Sequence, residues 1–208
     1  MNPKGFIFKF SLGTLLFCCS FSLLAIDKIS DLPFTEITKK KIRSGEIIVQ
    51  STVTSVTGRG ANKVTTQKLF FQSAALHSKT CSFALRKLSR YENYKNYIDY
   101  LKDSSYDEKE GRINMIITAN FLPIGFLLNF KIPRITKPGI YPFIFDKGFL
   151  KDLKGEIHVF EEDMRCLIYG KAEWEGPYSG FSDMTFEFFC KTLAQVAIQT
   201  LLRISTTY

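Results

Sequence analysis

The sequence has little of what most enzyme active sites require. Its two histidines, His77 and His158, lie too far apart along the chain to suggest a local metal site. It has no HExxH zinc motif, no GxSxG nucleophile elbow and no phosphate-binding P-loop. Glu173 and Glu175 share one face of a predicted strand, where solvent-facing charges explain them better than an acid–base pair. We therefore expect no metal, no cofactor and no catalytic residue, and we favour a non-enzymatic protein while leaving catalysis open.

Acidic residues are fewer than basic ones, 20 against 28, which gives a formal net charge of +8 at pH 7. The basic residues are scattered along the chain, whereas a nucleic-acid interface needs them clustered on one face. Nucleic acid is therefore disfavoured as a partner. The excess of positive charge favours contact with an anionic membrane surface, although it also serves ordinary solubility.

The N-terminus has the pattern of an export signal. Lys4 and Lys9 precede Phe10–Ala25, an uncharged and mostly apolar stretch of signal-peptide length. We expect residues 1–25 to be a signal peptide cleaved after Ala25, and the protein to be periplasmic or secreted. An uncleaved membrane anchor is the alternative, but the stretch is shorter than the roughly 20 apolar residues that span a bilayer.

Three cysteines remain after the expected cleavage, and none has the spacing of a metal or CxxC site. An odd number of cysteines in an oxidising compartment leaves at least one free thiol or an intermolecular bond. Cys190 stands among apolar neighbours on a predicted helix, which favours a buried thiol. Cys81 and Cys166 are then a candidate disulfide pair.

Alternating and helical patterns predict the element order. Residues 26–44 form a helical extension, capped by Ser30 or Asp31 and ended by Gly45. Residues 46–56 and 64–76 alternate as a hairpin, and two short helices follow between residues 78 and 101. The tyrosines at their junction, residues 91–97, either face the mouth of a ligand site or are half-buried with wet hydroxyls. From residue 104 to Glu175 the strands alternate with turns, which predicts an antiparallel meander.

The last helix, predicted over residues 181–205, is apolar around more than one face. Ser182 is a good N-cap, and Asp183 lies in the first turn, where the helix dipole favours an acid. So large an apolar surface must be covered. We expect the sheet to cover one side, and the N-terminal helix, a ligand or a partner to meet the other.

This order of strands, helix pair, meander and long C-terminal helix resembles the START-like (SRPBCC, helix-grip) superfamily. The stretches that resemble it, and its exported polyketide-cyclase and lipid-transport members, are Arg90–Tyr94, Gly139–Phe143, Gly148–Gly155 and Trp174–Gly176. The resemblance implies an α+β helix-grip domain over residues 45–208, with a curved antiparallel sheet wrapped around the last helix. It also implies a deep cavity between sheet and helix that takes lipids, sterols, polyketides or similar apolar molecules, with no shared catalytic residues.

We therefore expect an exported binding or carrier protein for a hydrophobic small molecule or lipid. A cyclase or aromatase-type enzyme using the same cavity is one alternative, and a cell-envelope interaction protein without a ligand is another. The residues expected to line the cavity are Tyr141, Phe143, Phe145, Trp174, Phe186, Phe189 and Leu193.

Overall fold

The computed structural model describes residues 28–58, 65–118, 126–148 and 150–206. The predicted signal peptide lies outside these residues. The elements are α1 (Glu36–Arg43), β1 (Ile48–Thr57), β2 (Thr65–His77), α2 (Cys81–Leu88), β3 (Leu101–Asp107), β4 (Arg112–Ile117), β5 (Phe126–Lys131), β6 (Gly139–Lys147), β7 (Lys154–Glu162), β8 (Arg165–Pro177) and α3 (Asp183–Thr206), with 3-10 helices at Ile29–Asp31 and Tyr91–Asn96.

The strands form one eight-stranded antiparallel sheet in the order β1-β2-β8-β7-β6-β5-β4-β3. The order follows from a long first hairpin and a meander whose last strand, β8, returns to pair with β2. The strands β1 and β3 are the two edges. The predicted α+β helix-grip architecture is therefore confirmed, with the long helix after the last strand.

The two faces of the sheet are covered by different parts of the chain. On β2, Leu69 clusters with Phe186 of α3, which defines the inner face. The N-terminal segment, residues 28–44, covers the opposite, outer face at β2 and β8. The outer-face cluster consists of Ile29, Leu32, Phe34, Ile42, Ala74, Leu76, Leu167 and Tyr169. The N-terminal helix is therefore not what meets the second side of α3, because the sheet separates them.

Two local predictions are wrong. The helix α1 is capped by Thr35, whose hydroxyl accepts the Thr38 N–H at 3.3 Å, and not by Ser30 or Asp31. Leu32 and Phe34 are buried against the sheet, which holds the chain out of the helix at that point. The second predicted helix is a six-residue 3-10 helix. Leu101 begins β3 because long-range pairing with β4 prevails over its helical spacing.

A disulfide joins α2 to the sheet. Cys81, the first residue of α2, is bonded to Cys166 of β8 across a sequence separation of 85 residues, and both are fully buried. The Cys81 N–H donates to the carboxylate of Glu161 at 2.8 Å. Cys190 is a free, half-buried thiol, and burial raises its pKa to about 12. The candidate pairing and the unpaired buried thiol are both observed.

The first turns of α3 are bound to the edge strand β1. Ser182 caps the helix, as predicted, by accepting the Thr185 N–H at 3.3 Å. The Asp183 carboxylate accepts the Ser55 N–H at 2.8 Å and the Gln67 side-chain amide at 2.9 Å. Glu187 accepts the Val53 N–H at 3.3 Å. These acids occupy backbone donors that an edge strand otherwise leaves without a partner.

The last turn of α3 is held by α2. The Lys87 ammonium donates to the Ile204 carbonyl at 3.2 Å, at the end where the helix dipole favours a cation. Leu201 packs against the cluster that contains Leu85 and Cys81 of α2. Among the described residues, no helix is both long and apolar enough to cross a membrane.

Reducing the Cys81–Cys166 bond is expected to lower the free energy of unfolding by about 2–5 kcal/mol, since the bond closes a long loop in the unfolded chain. Urea unfolding of the protein with and without reductant measures this. The Cys190→Ala variant is the control, because it should keep the whole difference between the two conditions. Equal unfolding midpoints with and without reductant would contradict the expectation.

Replacing Asp183 with Ala is expected to speed amide exchange in the first turns of α3. The hydrogen bonds from Ser55 and then Gln67 hold the pKa of Asp183 below its ordinary value of 3.8. Its contribution is therefore complete above that value and is lost as the pH falls through the lowered pKa.

The difference between the parent protein and Asp183→Ala should accordingly vanish in strong acid. Glu173→Ala, which removes an exposed acid from the outer face, should match the parent at every pH. Hydrogen exchange followed by mass spectrometry decides this, and equal exchange in α3 of parent and Asp183→Ala at neutral pH would refute it.

Candidate functional site

The middle of α3 is apolar but not fully buried. The half-buried side chains there are Phe189, Leu193, Ala194, Ala197, Ile198 and Leu201. Within the described helix, only Phe186 and Ser205, near its two ends, are fully buried. The helix is therefore bound tightly at its ends and packed loosely between them.

The inner face opposite this helix is also apolar and only partly buried. The half-buried side chains of the sheet are Phe71, Met115, Leu128, Phe130, Tyr141, Phe143, Phe145, Ile157 and Ile168. Apolar side chains on both sides thus retain accessible surface, which a tightly packed interface would have removed. We refer to the space between the middle of α3 and these strands as the inner cleft.

Two of the predicted lining residues form the closed end of the cleft. Trp174 and Phe186 are buried, with ring centroids 5.7 Å apart in an edge-to-face arrangement. The Trp174 indole N–H donates to the Lys151 carbonyl at 2.9 Å. Trp174 points inward, as its alternation with Glu173 and Glu175 predicts. Both rings serve as core at this end of α3.

Phe143 and Phe145 belong to the same cluster as Trp174 and Phe186. Phe145 stacks on Phe130 with centroids 4.6 Å apart, and Phe143 lies edge-on to both rings. A Cβ at Gly155 would lie 2.7 Å from Cζ of Phe143, so glycine at this position leaves room for that ring. The structure thus brings these aromatic residues together on the inner face.

The remaining three predicted residues are more dispersed. Tyr141 is half-buried, and its hydroxyl donates to the Lys137 carbonyl at 2.6 Å, which already uses its polar end. Phe189 and Leu193 lie half-buried on α3. That any of the seven residues contacts a ligand stays a prediction.

Phe130 is an aromatic residue of the cleft that the sequence prediction omitted. It alternates with Leu128 along β5, and that alternation is the signal that could have included it. Its inclusion depends on β5 lying beside β6, which places it against Phe145. Phe71 and Cys190 belong to the same cluster and were likewise not predicted as lining residues.

Two of the three tyrosines in residues 91–97 are structural, whereas Tyr97 is exposed. Tyr91 and Tyr94 are buried, so neither faces a ligand mouth nor is half-wet. The Tyr91 hydroxyl donates to the Pro133 carbonyl at 3.3 Å and accepts the Ile135 N–H at 3.0 Å, and burial raises its pKa. The Tyr94 hydroxyl donates to the Leu88 carbonyl. Both hydroxyls are therefore committed to the backbone.

The other candidate polar groups have structural surroundings as well. His77 and His158 are both buried, and His158 Nε2 lies 3.0 Å from the Glu156 carboxylate. Glu173 is exposed, and Glu175 pairs with Lys68 at 3.0 Å on the outer face. Within the described ranges, no group of three or more His, Cys, Asp or Glu side chains could hold a metal ion.

Two surface depressions lie outside the inner cleft. One of about 510 Å³ is on the outer face, where Thr52, Lys68, Phe70 and Glu173 contribute to its lining. Another of about 400 Å³ opens between β5 and β6 and includes Phe143. The inner cleft is therefore recognised from its half-exposed apolar walls and not from an enclosed volume.

No family model matches the sequence, and no curated protein matches it either. Solved structures do match the fold. The crystal structure of Ara h 8.0201 superposes with a TM-score of 0.55 at 10% identity, covering 68% of this chain and 99% of that one. A START superfamily protein from Mycobacterium smegmatis gives a TM-score of 0.53 at 5% identity, covering 66% and 97%.

A third match is the di-domain aromatase/cyclase StfQ from the steffimycin biosynthetic pathway. It gives a TM-score of 0.52 at 10% identity, covering 65% of this chain and 48% of that one, so the match spans about half of the di-domain protein. Identities this low establish the fold alone. The chain has the START-like helix-grip fold.

Proposed function

We propose that this protein is an exported binding or carrier protein for a hydrophobic small molecule or lipid. The ligand lies in the inner cleft, between the sheet and the middle of α3. The observation that carries the proposal is the contrast along α3, whose ends are bound by polar contacts while its apolar middle is only half-buried. The contacts at its two ends hold the helix in place without close packing of its middle.

The chemistry of the cleft supports an apolar ligand. Small-molecule sites are lined mainly by apolar and aromatic side chains, with few polar groups that fix orientation. Phe130, Phe143 and Phe145 provide such a wall, and the half-buried Phe189 and Leu193 of α3 are proposed to face it. The structural neighbours named as a START superfamily protein and as an aromatase/cyclase are consistent with an apolar ligand.

A cyclase or aromatase-type enzyme is the second candidate. The likeness to StfQ favours it, and it would need polar groups that converge in the cleft. The hydroxyl of Tyr100 is buried without a hydrogen-bond partner among the described residues, and burial raises its pKa. Tyr100 packs against the inner-face cluster, and this alternative would need further polar groups beside it.

An interaction protein of the cell envelope is the third candidate. Its expected mark is an exposed apolar patch on the N-terminal or final helix. Met184 and Phe188, one turn apart on α3, are 82% and 70% exposed. This surface favours a partner that covers the start of α3 and is compatible with a ligand in the cleft.

Export is supported by the buried disulfide. The bond joins Cys81 to Cys166. Disulfides form and persist in oxidising compartments and are rare where thiols are kept reduced. The predicted signal peptide, residues 1–25, agrees with that environment. The proposal is that the mature protein begins at Ile26.

The fluorescent apolar probe N-phenyl-1-naphthylamine is expected to bind the purified protein. Leu193→Trp should weaken that binding at least about tenfold, because an indole in place of a half-buried Leu would fill the cleft. Met184→Trp adds the same ring to an exposed position on the same helix and should bind the probe like the parent. Fluorescence titration measures both variants.

Native mass spectrometry after gentle purification should show a co-purifying apolar molecule in the parent protein. If no molecule co-purifies and Leu193→Trp binds the probe as tightly as the parent, the proposed ligand site is refuted. Probe binding lost equally in Met184→Trp would place the site on the exposed face of α3 instead.

The protein expressed with its N-terminus intact should mature by losing residues 1–25. Intact mass and N-terminal sequencing check the cleavage, and alkylation under denaturing conditions should label only Cys190 of the three remaining cysteines. A deletion of residues 1–25 is the matched control and should yield protein in which Cys81 and Cys166 are also labelled. A full-length, fully reduced protein from the intact gene would refute export.

A further inference from the structure

The outer face of the sheet is covered over only part of its width. The N-terminal segment packs on β2 and β8 and contacts Phe160 of β7. Beyond it, Ile140, Pro142 and Ile144 alternate along β6 with their side chains outward, and Ile140 and Ile144 are 48% and 40% exposed. We refer to the outward surface of β4–β6 as the open outer face.

The apolar surface continues across β4 and β5. Ile116 and Leu127 are direct register partners on these strands, and both are exposed. Their inward neighbours Met115 and Leu128 pack in the core, which confirms that this pair points outward. Five apolar residues on three adjacent strands thus share the open outer face. Exposed apolar groups collected in this way mark interaction surfaces.

Basic side chains surround this apolar surface. Ile144 has Lys131 as its register partner on β5 and Lys154 as its partner on β7, and both lysines are exposed. Five basic side chains stand on or beside the open outer face, namely Arg112, Lys131, Lys137, Lys147 and Lys154. Four acidic ones stand there, namely Glu110, Asp146, Glu156 and Glu173, and the last is the register partner of Lys154 on β8.

Three of these four acidic side chains are already paired with basic ones, and Glu173 offsets the charge of its neighbour Lys154. Asp146 accepts two hydrogen bonds of 2.6 Å from Arg112, and Glu110 accepts one of 2.7 Å from the same guanidinium. Glu156 lies 3.1 Å from Lys171 of β8. Lys131 approaches Asp146 only at 3.8 Å. The charge left to a partner on this surface is therefore positive.

The pairing between β5 and β6 is interrupted next to the open outer face. The strands β5 and β6 share only two register pairs, with a shift between them, and Pro142 has no N–H to donate. The depression of about 400 Å³ at this gap is lined mostly by apolar residues, among them Ile132, Pro142 and Ile144. Phe143 lines it as well and also belongs to the inner cleft.

We propose that the open outer face docks on the surface of an anionic lipid bilayer. The lysines meet the lipid phosphates, while Ile140, Ile144 and Leu127 enter the boundary between headgroups and acyl chains, as in other surface-bound proteins. Docking in this orientation places the gap between β5 and β6 against the bilayer. Its use as a route for a lipid rests on the proposed function, whereas the docking itself does not.

Flotation with vesicles tests the proposal on the mature chain, residues 26–208. The protein should float with vesicles of equal parts phosphatidylcholine and phosphatidylglycerol, and far less with phosphatidylcholine alone. Binding should fall as salt screens the charges. The double variant Ile140→Ser/Ile144→Ser should bind at least about tenfold more weakly. Lys131→Gln/Lys154→Gln should weaken binding and flatten its salt dependence.

Val56→Ser is the matched control, because Val56 is an exposed apolar residue of the edge strand β1, on the far side of the sheet from the open outer face. It should float like the parent. Thermal melts of all variants show whether they fold, and all substituted positions are exposed. The apolar probe assay is run in parallel, since the docking variants should retain probe binding.

Absence of flotation with anionic vesicles overturns the proposal. So does flotation that is lost in Phe188→Ser and kept in Ile140→Ser/Ile144→Ser, which would assign docking to α3. A dimer of the parent that dissociates in the Ile140→Ser/Ile144→Ser variant would assign the face to a second copy. A parent protein that floats with anionic vesicles but does not bind the apolar probe would refute the proposed ligand, and the docking proposal would still hold.

Discussion

The inner cleft depends on the contact between two acids of α3 and the edge strand β1. Asp183 and Glu187 accept backbone N–H groups of Ser55 and Val53, so they satisfy donors at the sheet edge and a charge preference at the helix start together. Because these polar contacts fix the helix, the apolar residues beyond them need not pack tightly to keep it in place. Leu193 and its neighbours can therefore remain half-buried.

The two halves of the sheet differ in how completely they are enclosed. At β2 and β8, the N-terminal segment covers one face, and α2, tied down by Cys81–Cys166, lies over the other. At β4–β6, no part of the chain that the structure describes covers the outward side chains in this way. The half at β2 and β8 is thus the one enclosed on both faces. The half at β4–β6 exposes apolar side chains beside the irregular pairing of β5 with β6. A binding partner would meet least obstruction at this surface.

Sequence patterns predicted the elements whose signals are local. Ser182 was identified as a cap and Trp174 as inward-facing, because a capping hydroxyl and a period of two can both be recognised in a short window. Leu101, the first residue of β3, was assigned to a helix, since its pairing with β4 is not a local property. For the site, the aromatic alternation predicted Phe143 and Phe145, which the structure brings together on the inner face, and their contact with a ligand stays a prediction. The commitment of the Tyr91 hydroxyl to Ile135 depends on the path of a distant segment and could not be derived from spacing.

The Cys81–Cys166 bond must form before α2 can fully support the end of α3. It anchors α2, and α2 in turn supplies Lys87 and an apolar surface to the last turn of α3. One end of the cleft is therefore secured by a covalent bond that does not exist when the polypeptide is synthesised. Oxidation of the two thiols therefore comes before a fully supported cleft. Under the proposed export, the newly made, reduced chain would hold the end of α3 less firmly than the oxidised chain does.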